Sequence, residues 1–233
     1  MFLATAVSFP VVDTGLERFV YATIVSDAID RTAFKDEEEI SVGIVVENAA
    51  QVEEWIKRSR EGDTQAMGFI YEKFKTPVFN LAFRYTYDSA ASEDLLQDVF
   101  VKIFTSLDSL EKNEAFVGWL YRVAVNTCLS HLRSRGRFLK KAIPLDDVEG
   151  VLSEKKGESP EEVLKKPIEE AIRGLSTKLK SVFLLHDVQG FKHEEIAGIL
   201  GCSVGTSKSQ LFKARMKIRK HLEGKKIFKG DRG

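Results

Sequence analysis

At 233 residues the chain can hold one large domain or two small ones, and 43% hydrophobic against 30% charged residues is the balance of an ordinary globular protein. No apolar run approaches the roughly 20 residues that span a bilayer, and residues 1–12 lack the basic start and cleavage site of a signal peptide. Cys128 and Cys202 stand far apart without a metal-ligand neighbour, which reads as a reduced, cytoplasmic protein with no disulfide framework, no metal site and no cofactor site.

The net charge of zero conceals a division. Residues 1–50 hold nine acids and three bases, residues 119–141 six bases and no acid, and residues 145–170 nine acids against four lysines. Two basic segments separated by an acidic one point to two nucleic-acid contacts joined by a connection that avoids phosphate.

Residues 1–48 carry short apolar stretches around the acidic run 36–39 and no site chemistry. From Ala49 the pattern turns helical. Val52, Trp55 and Ile56 share a face that ends near Gly62, and Asp63 is suited to cap the next helix. Met67, Ile70, Phe74, Val78 and Leu81 continue at helical spacing, with Pro77 expected to kink that helix or split it. Phe69, Tyr71, Phe74, Phe79, Phe83 and Tyr85 read as core rather than as a cofactor box. Ser92 is expected to cap a third helix, whose buried stripe is Leu95, Leu96, Val99, Ile103 and Phe104. Asp94, Gln97, Asp98 and Lys102 lie off that stripe, which is either a solvated face or a docking surface.

A polar connection over 107–113 leads to a long helix over 114–135. Its core stripe is Phe116, Leu120, Val123, Ala124 and Leu132, and Trp119 and Tyr121 add aromatic surface. Its basic end suits a helix C-terminus, and basic residues beside aromatics equally suit unpaired bases. Residues 143–166 are a linker by composition. Ser159 and Pro160 resemble a helix start, Pro167 interrupts, and 168–175 and 179–185 read as two further helices.

The stretch 192–222 has the pattern of a helix-turn-helix. Ile196, Ala197 and Leu200 share one face of a short helix, Gly201 supplies a left-handed stop, and Ser203 caps a longer helix. That second helix carries Lys208, Lys213, Arg215, Lys217, Arg219 and Lys220, a charge that suits a major groove and its phosphates. A basic helix is also often just a solvated face.

Three motifs occur in order. They are Asp94-x-x-Gln97-Asp98-Val99-Phe100, then Phe116-x-x-Trp119-Leu120 running on to Ala124, Asn126 and Arg133, then Glu194-Glu195-Ile196-Ala197 through Leu200-Gly201-Cys202-Ser203 to Ala214-Arg215. Together they resemble a bacterial RNA polymerase sigma factor of the small extracytoplasmic-function (ECF) group, over roughly residues 52–222. The resemblance implies an all-α fold of two small helical domains, a region 2 helical bundle (49–137) and a region 4 helix-turn-helix (168–223). A flexible acidic linker (138–167) joins them, an extension of unknown structure (1–48) precedes them, and a basic tail (224–233) comes last. It implies a non-enzymatic protein that binds core RNA polymerase and directs promoter-specific initiation.

On matching positions, Asp94, Gln97 and Asp98 would dock on the largest catalytic subunit of core polymerase. The helices around 178–187 would meet the second-largest. Phe116, Trp119, Asn126 and Arg133 would melt and read the promoter's minus-ten element as single strand. Ser203, Thr206, Lys208, Gln210 and Lys213 would meet the minus-thirty-five duplex. An anti-sigma factor is the common regulator in the family, wedged between the domains or covering the docking helix.

Lys192 stands where a capping Ser is usual, Ser207 where a Val is usual, Gln210 for an Arg and Ser130 for an Asp. The first 45 or so residues lie outside the family pattern. They are either an added regulatory segment or sequence upstream of a natural start near Val46. The competing readings are a stand-alone helix-turn-helix regulator with an N-terminal sensing domain and an enzyme with a DNA-binding appendage. The four histidines (131, 186, 193 and 221) do not converge in sequence, and the chain has no Gly-rich phosphate loop.

Overall fold

The computed structural model describes residues 49–141 and 160–225, with no strand among them. The expected N-terminal extension, most of the acidic linker and most of the basic tail lie outside the described residues. Eight α-helices carry the rest: α1 (Ala49–Arg60), α2 (Thr64–Thr86), α3 (Ser89–Thr105), α4 (Phe116–Lys141), α5 (Pro160–Arg173), α6 (Thr177–Phe183), α7 (His193–Leu200) and α8 (Val204–Gly224). The protein is all-α.

Helices α1 to α4 form a bundle, with α2 packed on α1, α3 and α4. Asp63 begins α2 by accepting hydrogen bonds from the amides of Gln65 (2.8 Å) and Ala66 (3.2 Å), and its carboxylate also takes Arg58. Pro77 lies inside α2, which runs on as one helix. The residues around it explain this. Phe74, Val78 and Leu81 are each about 1% exposed, so burial on both sides of the proline offsets its lost backbone bond. Of the aromatics read as core, Phe74 and Tyr85 are buried, whereas Phe69 and Phe83 are 39% and 38% exposed.

The start of α3 differs from the expectation. Asp88 is the cap, accepting from the amide of Ala91, and the helix begins at Ser89. Ser92 sits one turn inside, wholly buried, donating to the Asp88 carbonyl and bonded to Thr86 Oγ1. Between α3 and α4 the chain makes two single 3₁₀ turns, Leu107–Ser109 and Asn113–Ala115. Leu107 and Leu110 are buried there, and Arg60 reaches from α1 to both of their carbonyl oxygens.

Helix α5 contains Pro167 rather than stopping at it. Ile168, Ala171 and Ile172 beyond it are buried against the second half of the chain, and that packing overrides the proline. Helix α6 runs into a π-helical turn, Leu184–Val188. Then come α7, a turn at Gly201 (φ 65°, ψ 42°), and α8. The left-handed turn at Gly201 is the one the helix-turn-helix pattern requires. Ile196 and Ile199 of α7 pack with Leu211, Ala214 and Ile218 of α8. The buried side chains of both halves form one connected cluster, and α4 lies against α7.

Candidate nucleic-acid and polymerase interfaces

Three surfaces collect the residues singled out by the sequence. The first is on α3. Asp94, Gln97 and Asp98 are all exposed, and at 100° per residue they share one face. Val101 projects from the same face, 62% exposed. Sequence reasoning passed over it because an apolar residue one turn past a buried stripe looks like more stripe. An exposed valine ringed by acidic and amide side chains makes a polar surface with an apolar centre.

The second surface is on α4. Trp119 is half-buried and Asn126 and Arg133 are exposed. Their seven-residue spacing puts them on one face, about two turns apart. Phe116 is not on that face. It is 1% exposed and packs edge-on against Phe74, 5.7 Å between centroids, and beside Trp119 at 6.1 Å. Phe116 therefore supports Trp119 from the core and cannot itself meet a base in this arrangement. Arg122, which was not singled out, and Ser130, read as a departure from the family pattern, share the exposed face. Tyr121, expected on the surface, is wholly buried. Burial raises its phenol far above the ordinary value, so it stays a neutral donor.

The third surface is on α8. Ser203 caps the helix by accepting from the Thr206 amide (3.1 Å), and the two hydroxyls bond to each other at 2.8 Å. Lys208 and Lys213 are exposed, and Gln210 is half-exposed. Lys208 lies two positions, roughly 200° around the helix, from both Thr206 and Gln210. The five residues thus occupy two flanks of one cylinder rather than a single stripe. Phe212 (54% exposed) and Met216 (44%) lie near them. With Leu179, Gln210, Lys213 and Lys217 they line an open groove of about 520 Å³.

The scaffold that aims α8 is polar and buried. Asp187, 2% exposed, takes two hydrogen bonds from Arg215 of α8, from Nε at 3.0 Å and Nη2 at 2.8 Å, and pairs with His186 Nδ1 at 2.8 Å. Burial alone would raise its pKa, but the His186 and Arg215 bonds win and hold the carboxyl below the ordinary carboxylate range. His193 Nδ1 meets the Oγ of Ser207, itself wholly buried, at 2.8 Å. Ser207, read as a departure from the family pattern, thus joins α7 to α8. At Lys192 the backbone amide donates to Glu195 (2.7 Å), the half of a capping box that does not depend on the missing Ser. In the stretch 178–187, residues 179–185 and Asp187 are buried. Only Lys178 and His186 are open to a partner there.

Among the described residues no group of three or more His, Cys, Asp or Glu could hold a metal ion, and no helix is long and apolar enough to cross a membrane. A helical bundle with an exposed acidic face and a basic aromatic helix, followed by a helix-turn-helix, is the architecture of a two-part nucleic-acid-binding protein. Residues 70–138 match sigma-70 region 2, and residues 165–218 match sigma-70 region 4. The RNA polymerase sigma-H factor of Pseudomonas aeruginosa is 30% identical over 182 residues, 74% of this chain and 94% of that protein. The ECF RNA polymerase sigma-E factor of Escherichia coli is 32% identical over 176 residues, 70% and 90% of the two chains. Sigma factor RpoE of Bartonella quintana, solved with the anti-sigma factor NepR, superposes with a TM-score of 0.54 at 25% identity, covering 64% of this chain and 91% of that one. CnrH, solved with the cytosolic domain of CnrY, shares the fold at 19% identity, with a TM-score of 0.56 over 75% and 98% of the chains. The chain belongs to the RNA polymerase sigma factors, in the ECF group.

Proposed function

We propose that this sigma factor binds core RNA polymerase through the α3 face of Asp94, Gln97, Asp98 and Val101 and directs it to promoters read by two separate surfaces. The observation that carries the reading is the α3 face itself. An exposed valine amid acidic and amide side chains gives a docking surface that a stand-alone regulator has no use for. Trp119, Asn126 and Arg133 on α4 suit single-stranded minus-ten DNA, the indole as a stacking platform and the arginine as a backbone clamp. Phe116 acts by holding Trp119. Ser203, Thr206, Lys208, Gln210 and Lys213 suit duplex minus-thirty-five DNA, with the lysines on opposite flanks reaching phosphates on either side of a groove. The protein contributes binding energy and no chemistry of its own, so it acts without a cofactor. An anti-sigma factor is the fitting regulator, since the Bartonella relative was solved with one.

Run-off transcription with purified core polymerase and a genomic fragment library tests this. Specific transcripts are expected only when the protein is present. Asp98→Arg, a change at an exposed position, is expected to leave the melting temperature within about 2 °C, as surface substitutions do, while abolishing core binding and transcripts together. Core binding unaffected by Asp98→Arg removes α3 from the interface. No transcripts and no core binding by the unaltered protein would sink the reading.

A further inference from the structure

The open groove between α6 and α8 combines two chemistries that a DNA duplex does not both satisfy. Its floor is apolar. Leu179 comes from α6, and Phe212 and Met216 are one turn apart on α8 and exposed by 54% and 44%. Its rim is cationic, with Lys178 on one side and Lys213 and Lys217 on the other, all exposed. Among the described residues no carboxylate pairs with any of the three lysines. A duplex brings phosphate for the lysines but little apolar surface beyond thymine methyl groups. An apolar floor inside a ring of one charge fits a polypeptide that is apolar and acidic together.

We infer that residues 19–39 of this chain dock in that groove and, while seated there, keep the recognition helix from the minus-thirty-five duplex. The segment has both chemistries. Its first part, 19–25, reads Phe-Val-Tyr-Ala-Thr-Ile-Val, and its last part, 36–39, is four consecutive carboxylates. The whole carries six acids against two bases, so its net charge is opposite to that of the rim. The other occupants within the chain or between chains fit less well. A second copy would set one lysine rim against another. The basic tail after Lys225 repeats the charge of the groove. The connection between Lys141 and Pro160 is held at both ends, whereas residues 19–39 are joined to the described chain only through Ala49.

The tether is long enough. Ten residues separate Glu39 from Ala49 and extend to about 33–36 Å, and the 24 from Val25 extend to about 80 Å. A compact chain of about 160 residues has a radius of gyration of about 15 Å. The apolar part can therefore reach any point of the surface, and the acidic run most of it. Docking within one chain also needs only weak contacts, because the tether keeps the local concentration high.

The consequence for promoters rests on the function proposed above. Gln210 and Lys213 line the groove and belong to the set assigned to the minus-thirty-five element. A carboxylate on Lys213 and a phosphate on Lys213 exclude each other, so the segment and the duplex compete for one site.

The test is photocrosslinking of the full-length protein. Met216→p-benzoylphenylalanine puts a photoreactive ring on the α8 wall, and Ser176→p-benzoylphenylalanine puts one on the α6 wall. Both positions are exposed, neither is assigned to DNA or polymerase, and the Ser176 side chain makes no cap hydrogen bond. Peptide mass mapping is expected to find both crosslinked to residues 19–39. Asp36→Asn combined with Glu37→Gln, Glu38→Gln and Glu39→Gln is expected to lower the yield roughly fivefold or more, and 1 M salt, with its screening length of about 3 Å, to do likewise. These four positions lie outside the described helices, so their replacement leaves the helical core in place. Crosslinks that map to residues 142–159, to the tail or between two copies overturn the docking, and so does the absence of any crosslink from both walls. Promoter DNA added with core polymerase is expected to suppress the crosslink. Transcripts accompanied by an unsuppressed crosslink overturn the competition. If the crosslinks form as described but no fragment is transcribed, the docking stands and the assigned function falls.

Discussion

Asp187 is the most consequential single side chain that the sequence did not disclose. Its partner Arg215 lies 28 residues further on, in a helix whose basic residues all look like phosphate contacts, and only the folded helix-turn-helix brings the two together. Asp187→Ala is expected to destabilise the second half of the chain by about 3–5 kcal/mol, because it leaves the arginine facing a void rather than a carboxylate. Urea unfolding would show this as a lower midpoint. The pH dependence comes from the depressed carboxyl. A group held below its unfolded pKa of about 3.9 contributes its full stability above pH 4 and loses it as the pH falls through the native value. Melting temperatures are expected to drop on acidification below pH 4, and Asp187→Asn is expected to flatten that drop. Ser207 makes the same point on a smaller footing. Against the family it looks like a weakened core position, and only the structure shows that its hydroxyl meets His193.

Helix ends proved legible where one residue type has one reason to be present. Asp63, Ser203 and Gly201 cap or stop helices as read, since each sits alone between periodic segments. Ser92 misled because Asp88, four residues earlier, is an equally good cap with the first claim on the free amides. Pro167 misled because propensity is local, whereas the burial of Ile168 and Ile172 is not. The heptad spacing of Trp119, Asn126 and Arg133 on one face of α4 was legible, but Phe116 was not separable from it by spacing. Helix α8 makes a quantitative prediction. Lys208 and Lys213 are five positions, about 140°, apart, so a helix seated in a groove presents one to each flank. Replacing either by Ala is expected to reduce the slope of log affinity against log salt by about 1 in polymerase–promoter binding, and replacing both by about 2. A slope unchanged by Lys208→Ala would place that lysine in solvent and leave Lys213 as the phosphate contact.

The packing of the two halves was not legible at all. Hydrophobic periodicity says which face of a helix is buried and never against what, so Tyr121 read as surface and Tyr85 as ordinary core. Lys180 is the group at this seam whose charge should report on its packing. It is 7% exposed, and burial, with the nearby Arg173 adding repulsion, pushes its ammonium down to about 8. The facing Tyr87 is pushed up to about 12, chiefly by burial, with Glu169, Arg84 and Arg173 around it, and so stays neutral below that pH. In the unfolded chain Lys180 returns to its ordinary pKa near 10.4. The folded form therefore binds the proton less tightly than the unfolded one. The cost of burying the charge is full below about pH 8, falls as pH rises from about 8 towards 10, and is gone beyond. Urea unfolding midpoints are expected to gain a contribution over that interval, and Lys180→Met to remove it. A flat profile in the unaltered protein would mean that the Tyr87 ring compensates the desolvated charge, as a cation over an aromatic face can. Lys180 would then be a charged contributor to the packing of this seam rather than a cost borne by it.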